Sequence, residues 1–385
     1  MSKEKRRVPK LRFPGFTEDW EQRKLGSLAS VEMNKRIFKE QTTTNGDIPF
    51  YKIGTFGSDA DSFISRELFE EYKNKYPYPN IGDILISASG SIGRTVVYNG
   101  EDAYFQDSNI VWLNHNGKID NSFLLQFYNQ VKWAGLEGST IKRLYNKNIL
   151  ETDIALPKIE EQRLIGKFFT LVDSTITLHQ RKLEHLSLKK KALLQKLFPK
   201  NGERYPELRF PGFTDAWEQR KLGDIATFSK GNGYSKSDLV PSGSPIILYG
   251  RLYTNYETII KNVDTFVELK DKSVISQGGE VIVPASGETA EDISRASVVE
   301  KQGNVIGGDL NVIKVKELLH PTFLALTISN GEQQKELSKR AQGKSVVHLH
   351  NSDLQEVNLI FPLLNEQKEI SILFEKIDNI ITLHQ

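Results

Sequence analysis

The feature that most constrains this chain is a long internal repeat. Residues 11–26, LRFPGFTEDWEQRKLG, return at 208–223 as LRFPGFTDAWEQRKLG, with fourteen of sixteen positions identical. Later anchors recur at an offset that grows from 197 to 205, and ITLHQ stands at both 176–180 and 381–385. The other anchors are Gly138, Asn146, Pro157, Glu161 and Gln162, which return as Gly343, Asn351, Pro362, Glu366 and Gln367. A period near 200 residues is domain-sized, so the sequence predicts two related domains.

The edges of the two repeats are nearly identical in sequence, whereas their interiors share only a few short identities. The clearest identities are the tripeptide ASG, at Ala88–Gly90 and again at Ala285–Gly287, and the pair Pro49 and Gly54, which returns as Pro245 and Gly250. Ordinary drift after an old duplication is one interpretation. Drift alone does not explain why the edges stayed almost identical, so we favour two domains that share a frame and recognise different things.

Composition limits the classes of protein that this chain can represent. Of its 385 residues 38% are hydrophobic and 26% are charged, as in globular proteins. The absence of cysteine excludes disulfides and thiolate metal sites and fits a reducing cytoplasm. The basic start lacks the apolar stretch of a signal peptide, and no apolar run suits a membrane span. Net charge is only +2, so a nucleic-acid surface would depend on how charges are distributed.

A long helix is predicted after Lys158 in the first repeat. Glu160 and Glu161 lie in its first turn, where the helix dipole favours acidic groups, and Pro199 and Gly202 end it. Apolar residues alternate at spacings of four and three, which is typical of a coiled coil, and the helix would be roughly 55–60 Å long. The predicted seam residues are Ile165, Phe169, Val172, Ile176, His179, Leu183 and Leu186, continuing to Leu193 and Leu197.

The second repeat carries the same seam, and we expect the two helices to pair in an antiparallel manner. Its residues are Ile370, Phe374, Ile377, Ile381 and His384. Two like halves related by a pseudo-two-fold axis would run such helices in opposite directions. His179 and His384 would then be polar seam residues that set the register, with a metal site as the alternative. The second copy stops at Gln385 where the first continues, so a truncated second helix is one interpretation.

The diverged interiors are expected to be compact α+β domains of about 150 residues each. Strands are predicted at 83–90, 95–100 and 109–114, and helices at 123–138. The second interior repeats this order, with strands at 280–287 and 311–316 and a helix over 323–343. Loops between these elements carry the candidate DNA-facing residues, because Arg and Lys suit guanine and phosphates and Asn suits adenine.

These candidates are polar, basic or aromatic residues close to glycine. In the first domain they are Ser89, Ser91, Arg94, Lys142, Arg143, Tyr145, Asn146 and Lys147. In the second domain they are Arg251, Tyr253, Arg295, Lys344, His348, His350 and Asn351. Most surface Arg and Lys residues are simply solvated, so we expect about a third of this set to touch DNA.

The sequence resembles the specificity subunits of type I restriction-modification systems. Three features carry the resemblance: the doubled LRFPGFT…WEQRKLG, the doubled proline-then-EQ start of a long helix, and the two unlike interiors. The resemblance runs from Leu11 to Gln385, in a form similar to that of staphylococci and other Firmicutes. It implies two target-recognition domains, at 1–156 and 201–361, with conserved helices at 157–200 and 362–385. The implied fold class is α+β: two pseudo-two-fold-related mixed α/β domains separated by a long antiparallel two-helix coiled coil.

The resemblance also implies how such a chain acts. Each domain would read one half of a bipartite, asymmetric site in double-stranded DNA, and the paired helices would set the unread spacer. Two modification (methyltransferase) subunits and the restriction (translocase-nuclease) subunits would join this chain, which would itself be non-catalytic and cytoplasmic. S-adenosylmethionine, ATP and Mg²⁺ would be bound by those partner subunits, with no cofactor and no metal in this chain.

Two other classes of function stay open from the residues. Asp264 with Glu268, Leu269 and Lys270 loosely imitates a metal-dependent nuclease, and the heptads alone would suit a scaffold without a DNA role. A free-standing adenine methyltransferase is disfavoured because the chain has no Pro-Pro pair for its catalytic tetrapeptide. The histidines show no HExxH pattern that would indicate zinc.

Overall fold

The computed structural model describes residues 9–136, 142–200, 202–343 and 346–384. The chain divides into two compact units, the first ending at Thr177 and the second beginning at Leu178. This division falls inside one helix of 39 residues, which contributes to both units. Each unit has its own sheets and its own hydrophobic core. The finer boundaries given above, with the helices as separate segments, stay a prediction.

The first unit is built from nine short strands and four helices of the described chain. The strands are β1 (Glu21–Lys24), β2 (Ser30–Glu32), β3 (Ile48–Tyr51), β4 (Phe63–Ile64), β5 (Ile84–Ser87), β6 (Thr95–Val97), β7 (Tyr104–Phe105), β8 (Ile110–Asn114) and β9 (Asp153–Leu156). The helices are α1 (Arg66–Lys75), α2 (Asn121–Gln130), α3 (Asn146–Leu150) and the long α4 (Ile159–Leu197). Short 3₁₀ turns lie at Leu25–Ser27 and Lys39–Gln41.

Three sheets organise this unit. The largest has the order β2-β8-β5-β6, a second has the order β4-β3-β7, and β1 pairs with β9. The core lies between the four-stranded sheet and α2, where Ile86 and Val111 meet Phe123 and Tyr128. Buried and half-buried positions alternate along β3, which is the period of two expected when one face of a strand packs into the core more deeply than the other.

The second unit repeats this plan with more strands. They are β10 (Glu218–Lys221), β11 (Ala226–Lys230), β12 (Leu239–Val240), β13 (Ser244–Ile247), β14 (Ile259–Ile260), β15 (Phe266–Val267), β16 (Glu280–Pro284), β17 (Ser286–Gly287), β18 (Ser297–Val299), β19 (Val305–Ile306), β20 (Leu310–Val315), β21 (Val347–His348) and β22 (Asn358–Phe361). The helices are α5 (Leu222–Ile225), α6 (Arg251–Thr254), α7 (Ala290–Ile293), α8 (Pro321–Ile328), α9 (Gly331–Arg340), α10 (Asn351–Gln355) and α11 (Leu364–Thr382), and a 3₁₀ turn lies at Lys236–Asp238.

The strand orders of the two units correspond. The sheet β11-β20-β16-β18-β14 matches β2-β8-β5-β6 with one extra strand, and β10 pairs with β22 as β1 does with β9. The parallel pair β13–β19 likewise corresponds to β3–β7. Two repeated domains of mixed α/β structure, predicted from the sequence, are therefore confirmed.

Two helices predicted from the sequence are shorter or broken. The helix predicted over 123–138 ends at Gln130, because Val131 is extended and Trp133 packs back against Tyr128 with ring centroids 5.8 Å apart. The helix predicted over 323–343 is two helices, α8 and α9. The break falls at Gly331, whose φ of +66° is in the left-handed region that glycine tolerates best.

A buried ion pair joins the first repeated segment of each unit to the start of its long helix. Arg12 donates two hydrogen bonds to Glu161, at 2.7 and 2.8 Å, and Arg209 donates two to Glu366, at 2.8 and 2.7 Å. Both glutamates are 1% exposed. The planar guanidinium fork matches a carboxylate in only a few orientations, so the pair fixes the helix start against its own unit.

The glutamine that follows each of these glutamates makes a second link. Gln162 accepts a hydrogen bond from the backbone N–H of Asp120 at 2.9 Å and donates to the Pro157 carbonyl at 2.9 Å. In the second unit Gln367 accepts from the His320 N–H and donates to the Pro362 carbonyl, both at 2.8 Å. The repeated Glu-Gln doublet thus ties the long helix to the N-terminus of α2 or α8.

In the second unit α11 lies antiparallel to the part of α4 that belongs to this unit. Nδ1 of His179 lies 2.9 Å from Nδ1 of His384, and Lys190 pairs with Asp378 at 2.5 Å. Residue numbers rise along one helix as they fall along the other, which confirms the predicted antiparallel pairing for this stretch. Of the predicted seam, Ile370, Phe374 and Ile377 are buried in the core, Ile381 packs against it, and Leu183 and Leu186 are half-buried.

The part of α4 in the first unit behaves differently. Ile165 packs against the core of its unit, and Val172 is half-buried. Phe169 and Ile176 are 37% and 49% exposed, although the heptad pattern predicts both as seam residues. The apolar spacing predicts a helix that is packed along one whole face. In the first unit only part of that face is packed, and Phe169 and Ile176 lie in solvent.

We expect that replacing Glu366 with alanine strongly destabilises the second unit. The substitution leaves the Arg209 guanidinium without its buried partner, and breaking a buried pair costs about 3–5 kcal/mol. Glu218→Ala is the matched control, because the Glu218–Arg220 pair is exposed and such pairs contribute about 0–1 kcal/mol. Hydrogen–deuterium exchange read separately for each unit measures the effect, and equal protection in the two variants would contradict the assignment.

The stability of the second unit should fall as the pH drops below about 6.5. Burial lowers the pKa of His320 from 6.5, and Lys368 lowers it further against the opposing effect of Glu375. The unfolded chain then binds this proton more readily than the folded chain, so the stabilisation is complete above about pH 6.5 and declines below it. Urea unfolding midpoints at about pH 7.5 and 5.5 measure this, and His320→Asn should show a smaller pH dependence. An unchanged dependence would assign it to other groups.

Candidate nucleic-acid interface

In both units the repeated ASG tripeptide is joined to two other loops by the same backbone hydrogen bonds. In the first unit the Ala88 N–H donates to the Asn109 carbonyl at 2.7 Å, and the Leu144 N–H donates to the Ala88 carbonyl at 2.8 Å. In the second unit the Ala285 N–H donates to Asp309 at 2.8 Å, and the Leu349 N–H donates to Ala285 at 3.0 Å. We call these the first junction (Ala88, Asn109, Leu144) and the second junction (Ala285, Asp309, Leu349).

The neighbouring residues extend the correspondence to the predicted DNA-facing positions. Ser89 pairs with Arg143 as an antiparallel bridge, and Ser286 pairs with His348 between β17 and β21. Arg143 and His348 therefore occupy equivalent places, and both are exposed. The frame is common to the two units, whereas the side chain it presents differs: a guanidinium in one and an imidazole in the other.

The structure separates the three candidates of the SGSIGR loop. Ser89 is 4% exposed and its hydroxyl donates to the Asn109 side-chain oxygen at 2.7 Å, so it braces the first junction from inside. Ser91 is exposed, and its carbonyl accepts a hydrogen bond from the Ser87 hydroxyl. Arg94 is exposed but donates to the Phe56 carbonyl at 2.8 Å, which anchors one nitrogen of its guanidinium.

The second group of first-unit candidates lies together beside the first junction. The residues are exposed and precede or begin α3: Lys142, Arg143, Tyr145, Asn146 and Lys147. Within the described part of the chain neither Lys142 nor Arg143 has an ion-pair partner, and Lys147 is 3.9 Å from Glu151. Two unpaired cations beside an exposed Tyr and Asn can contact phosphates and base edges.

The sequence analysis missed Asn109 of the first junction and also Trp133, which packs on the neighbouring SGSIGR loop. Asn109 receives the Ser89 hydroxyl, and Trp133 covers Gly93, where a Cβ atom would lie 3.0 Å from the indole nitrogen. Gly93 also has a φ of +84°, so a side chain there would be strained as well as crowded. A comparison of the two repeats could have identified Asn109. It ends the triplet DSN just before β8, at the position that Asp309 of GGD takes just before β20.

At the second junction two candidates are exposed and one is half-buried. His348 and His350 are exposed, and their rings are parallel within 2° with centroids 6.4 Å apart. Tyr253 donates its hydroxyl to the Ser286 carbonyl at 2.5 Å, and burial raises its pKa, so it supports the loop as a neutral phenol. Lys344 lies outside the described residues.

Two asparagines fasten the loop that carries these histidines. Asn351 donates to the Ser229 carbonyl at 2.9 Å, so this candidate holds the start of α10 to β11. Asn311, which the sequence analysis missed, is fully buried and donates to the Leu349 carbonyl at 2.8 Å. These bonds give the second junction fixed backbone positions before any ligand is bound.

Arg251 and Arg295 are held within the second unit by acidic residues. Arg251 is 13% exposed at its side chain and bonds Glu257 at 2.7 Å and Asp264 at 3.0 Å. Arg295 pairs with Asp292 at 3.1 Å, with its guanidinium 6.0 Å from the Tyr256 ring centroid. Arg251, predicted as DNA-facing, is thus turned inward, because two carboxylates compensate its burial.

The residues of the nuclease alternative are engaged separately. Asp264 bonds Arg251, and Lys270 pairs with Asp238 while its ammonium lies 4.7 Å from the Tyr234 ring centroid. Among the described residues no group of three His, Asp or Glu side chains could hold a metal ion. The helices of the described chain also include none that is long and apolar enough to cross a membrane.

Family comparison defines the class of protein. The model of the type I restriction modification DNA specificity domain matches residues 17–188 and again 214–385. The chain therefore belongs to this family and carries two copies of its domain. The specificity role expected from the sequence is confirmed, and none of the comparisons supports a nuclease. The similarity to staphylococcal and other Firmicutes forms stays a prediction.

Individual relatives agree with this class. A Haemophilus influenzae protein, provisionally named a type I restriction enzyme specificity subunit, is 55% identical over 155 residues, 39% of this chain and 40% of its own length. The MjaVIII specificity subunit of Methanocaldococcus jannaschii is 23% identical over 394 residues, 97% of this chain and 88% of that protein. The crystal structure of the S subunit from M. genitalium shares the fold, with a TM-score of 0.58 at 15% identity over 98% and 94% of the two chains.

Replacing Asn311 with alanine should loosen the second junction. The Leu349 carbonyl would lose its partner in a buried place, which costs about 1–3 kcal/mol. Faster hydrogen–deuterium exchange at residues 346–350, together with a lower unfolding midpoint, is the expected result. Asn358→Ala is the control, since Asn358 is exposed and such changes stay within about 0.5 kcal/mol. Equal exchange in the two variants would show that Asn311 does not brace this loop.

Proposed function

We propose that this chain reads a bipartite DNA site, with the first junction reading one half and the second junction the other. The observation that carries the proposal is the identical backbone frame of the two junctions beneath different exposed side chains, Arg143 in one and His348 in the other. A fixed backbone positions a reader, and the side chain on it selects the base. The family match to a DNA specificity domain in two copies supports this assignment.

The exposed groups of the first junction suit double-stranded DNA. Lys142 and Arg143 supply positive charge, which neutralises phosphates, and arginine can bond both acceptors of a guanine edge. Asn146 can make the corresponding paired bonds to adenine. At the second junction His348 and His350 offer ring nitrogens that donate or accept according to tautomer.

In this proposal the chain has no catalytic activity of its own. Two modification subunits would bind S-adenosylmethionine and methylate adenine, and restriction subunits would use ATP and Mg²⁺. The support is the family of this chain, whose named relatives are specificity subunits of type I restriction enzymes. Because a protein that reads genomic DNA must share its compartment, a cytoplasmic location is part of the same proposal.

Methylome sequencing of cells that express the complete system tests the proposal. Arg143→Ala should relax one position in one half of the methylated motif and leave the other half unchanged, since one bidentate contact is worth about 1–3 kcal/mol of discrimination. His348→Ala should relax only the opposite half. Arg23→Ala is the matched control, because Arg23 is exposed, bonds Glu21 and belongs to β1, which contains no residue of either junction.

The same measurement can contradict the proposal in two ways. Relaxation of both half-sites by a single variant would show that the junctions do not read independently. An unchanged motif in both Arg143→Ala and His348→Ala would place base reading elsewhere in the units. Wild-type methylation by the Arg23→Ala control is required for either conclusion.

A further inference from the structure

Two histidines at the second junction lie on the same side of an extended stretch of chain. His348 and His350 are exposed, and Leu349 between them is 0% exposed. Successive side chains of an extended chain point to opposite sides, so the buried leucine places both of its neighbours on the solvent side. We call His348 and His350 the histidine pair. Their rings are parallel within 2°, with centroids 6.4 Å apart.

Hydrogen bonds fix the backbone that carries the histidine pair. The His348 N–H donates to the Gln342 carbonyl at 2.8 Å, and the His348 carbonyl accepts from the Gln342 N–H at 3.1 Å. The His350 N–H donates to the Asp353 carboxylate at 2.8 Å. Leu349, between the two histidines, is already bonded through the second junction. These bonds use backbone atoms of the histidines, so the places of the two rings are set without engaging the rings themselves.

The first unit has flat side chains at the equivalent positions. Arg143 and Tyr145 are exposed and lie on either side of Leu144, which is 3% exposed. Tyr145 immediately precedes α3, as His350 immediately precedes α10. Imidazole, phenol and guanidinium groups all stack on the faces of unpaired bases. Two interiors of unlike sequence therefore share one property, which is a pair of flat groups on either side of a buried leucine.

The spacing of the histidine pair matches the thickness of one flat ring. Stacked bases lie about 3.4 Å apart, so two rings that enclose a base are separated by about 6.8 Å. The centroid distance of 6.4 Å is close to that separation. A metal ion is a weaker alternative ligand, because no group of three His, Asp or Glu side chains among the described residues could hold one. The geometry thus favours a planar ligand over a cation.

We propose that the histidine pair is a stacking slot, which holds one base of the recognised DNA after that base has left the helical stack. The inference rests on the proposed function, because it requires the second junction to face one half-site. Stacking between the two rings compensates part of the cost of unstacking the base. A base pair that opens easily is favoured at this position, so the slot selects DNA through its deformability as well as adding affinity.

Mismatched DNA tests the slot from the side of the ligand. The probes are duplexes that carry the motif found by methylome sequencing, and fluorescence anisotropy measures the Kd of the full chain for each. Every base pair of the half-site read by the second unit is replaced in turn by a mismatch. A mismatch at the slot should strengthen binding by about tenfold, because its base leaves the stack at lower cost. Mismatches elsewhere in the half-site should weaken binding through lost contacts.

Variants of His350 distinguish stacking from hydrogen bonding. His350→Ala should weaken binding to the matched duplex by roughly 5- to 150-fold and should abolish the gain from the mismatch, because one face of the slot is lost. His350→Phe should retain both, since a phenyl ring stacks but has no nitrogen to bond with. His185→Ala is the matched control, because His185 is exposed on α4, which contains no residue of either junction. Circular dichroism verifies the fold of each variant.

Three results would overturn the slot while leaving the proposed function intact. They are wild-type affinity in His350→Ala, equally weak binding by His350→Phe and His350→Ala, and weaker binding with a mismatch at every position of the half-site. The second result would assign His350 a hydrogen bond in place of stacking. A wild-type chain that binds the motif no more tightly than an unrelated duplex would instead contradict the proposed function, and the slot with it.

Discussion

One ion pair in each unit fixes the orientation of the long helix. It joins the arginine of the LRFPGF segment to a glutamate in the first turn of that helix. Arg12–Glu161 and Arg209–Glu366 have the same bidentate geometry, with the carboxylate almost fully buried in both. A buried pair is weak evidence for net stability, since desolvating two charges offsets most of their attraction. Its effect is geometric: any other orientation of the helix start would leave a buried charge without a partner. The constraint explains why these edges remained alike after duplication.

With the frame fixed in this way, the two junctions can differ in what they present. Backbone hydrogen bonds at Ala88 and Ala285 do not depend on side chains, so exposed positions beside them change without disturbing the fold. The residues beneath the junctions are less free. Ser89 is braced by Asn109 in one unit, whereas Asn311 braces Leu349 in the other. Different buried polar side chains thus hold the same loop in the two units. The backbone path is therefore alike although the interiors differ in sequence.

Much of the fold could be predicted from the sequence, because its signals are local or repeated. The duplication indicated two like domains, and apolar spacing indicated the long helix, which begins and ends near the expected residues. Helix ends were less predictable. Trp133 folds back over Gly93, which is a tertiary contact, and the left-handed conformation of Gly331 divides a stretch whose apolar residues predict a single helix. The site was predicted at the level of loops. In the structure Arg143 and His348 are exposed, whereas Arg251 is held by two carboxylates. Those carboxylates, Glu257 and Asp264, follow no known sequence motif, so the pairing could not be predicted from the sequence.

The antiparallel pairing of β1 with β9 and of β10 with β22 has a consequence for how such proteins can change. Glu21 lies opposite Leu156, and Glu218 lies opposite Phe361, so the first and last strands of each repeat are neighbours. A module whose two ends meet can be excised and replaced as a cassette, since the chain on either side keeps its path whatever lies between. Gene exchange at the two repeated borders would then create a new reader in one step.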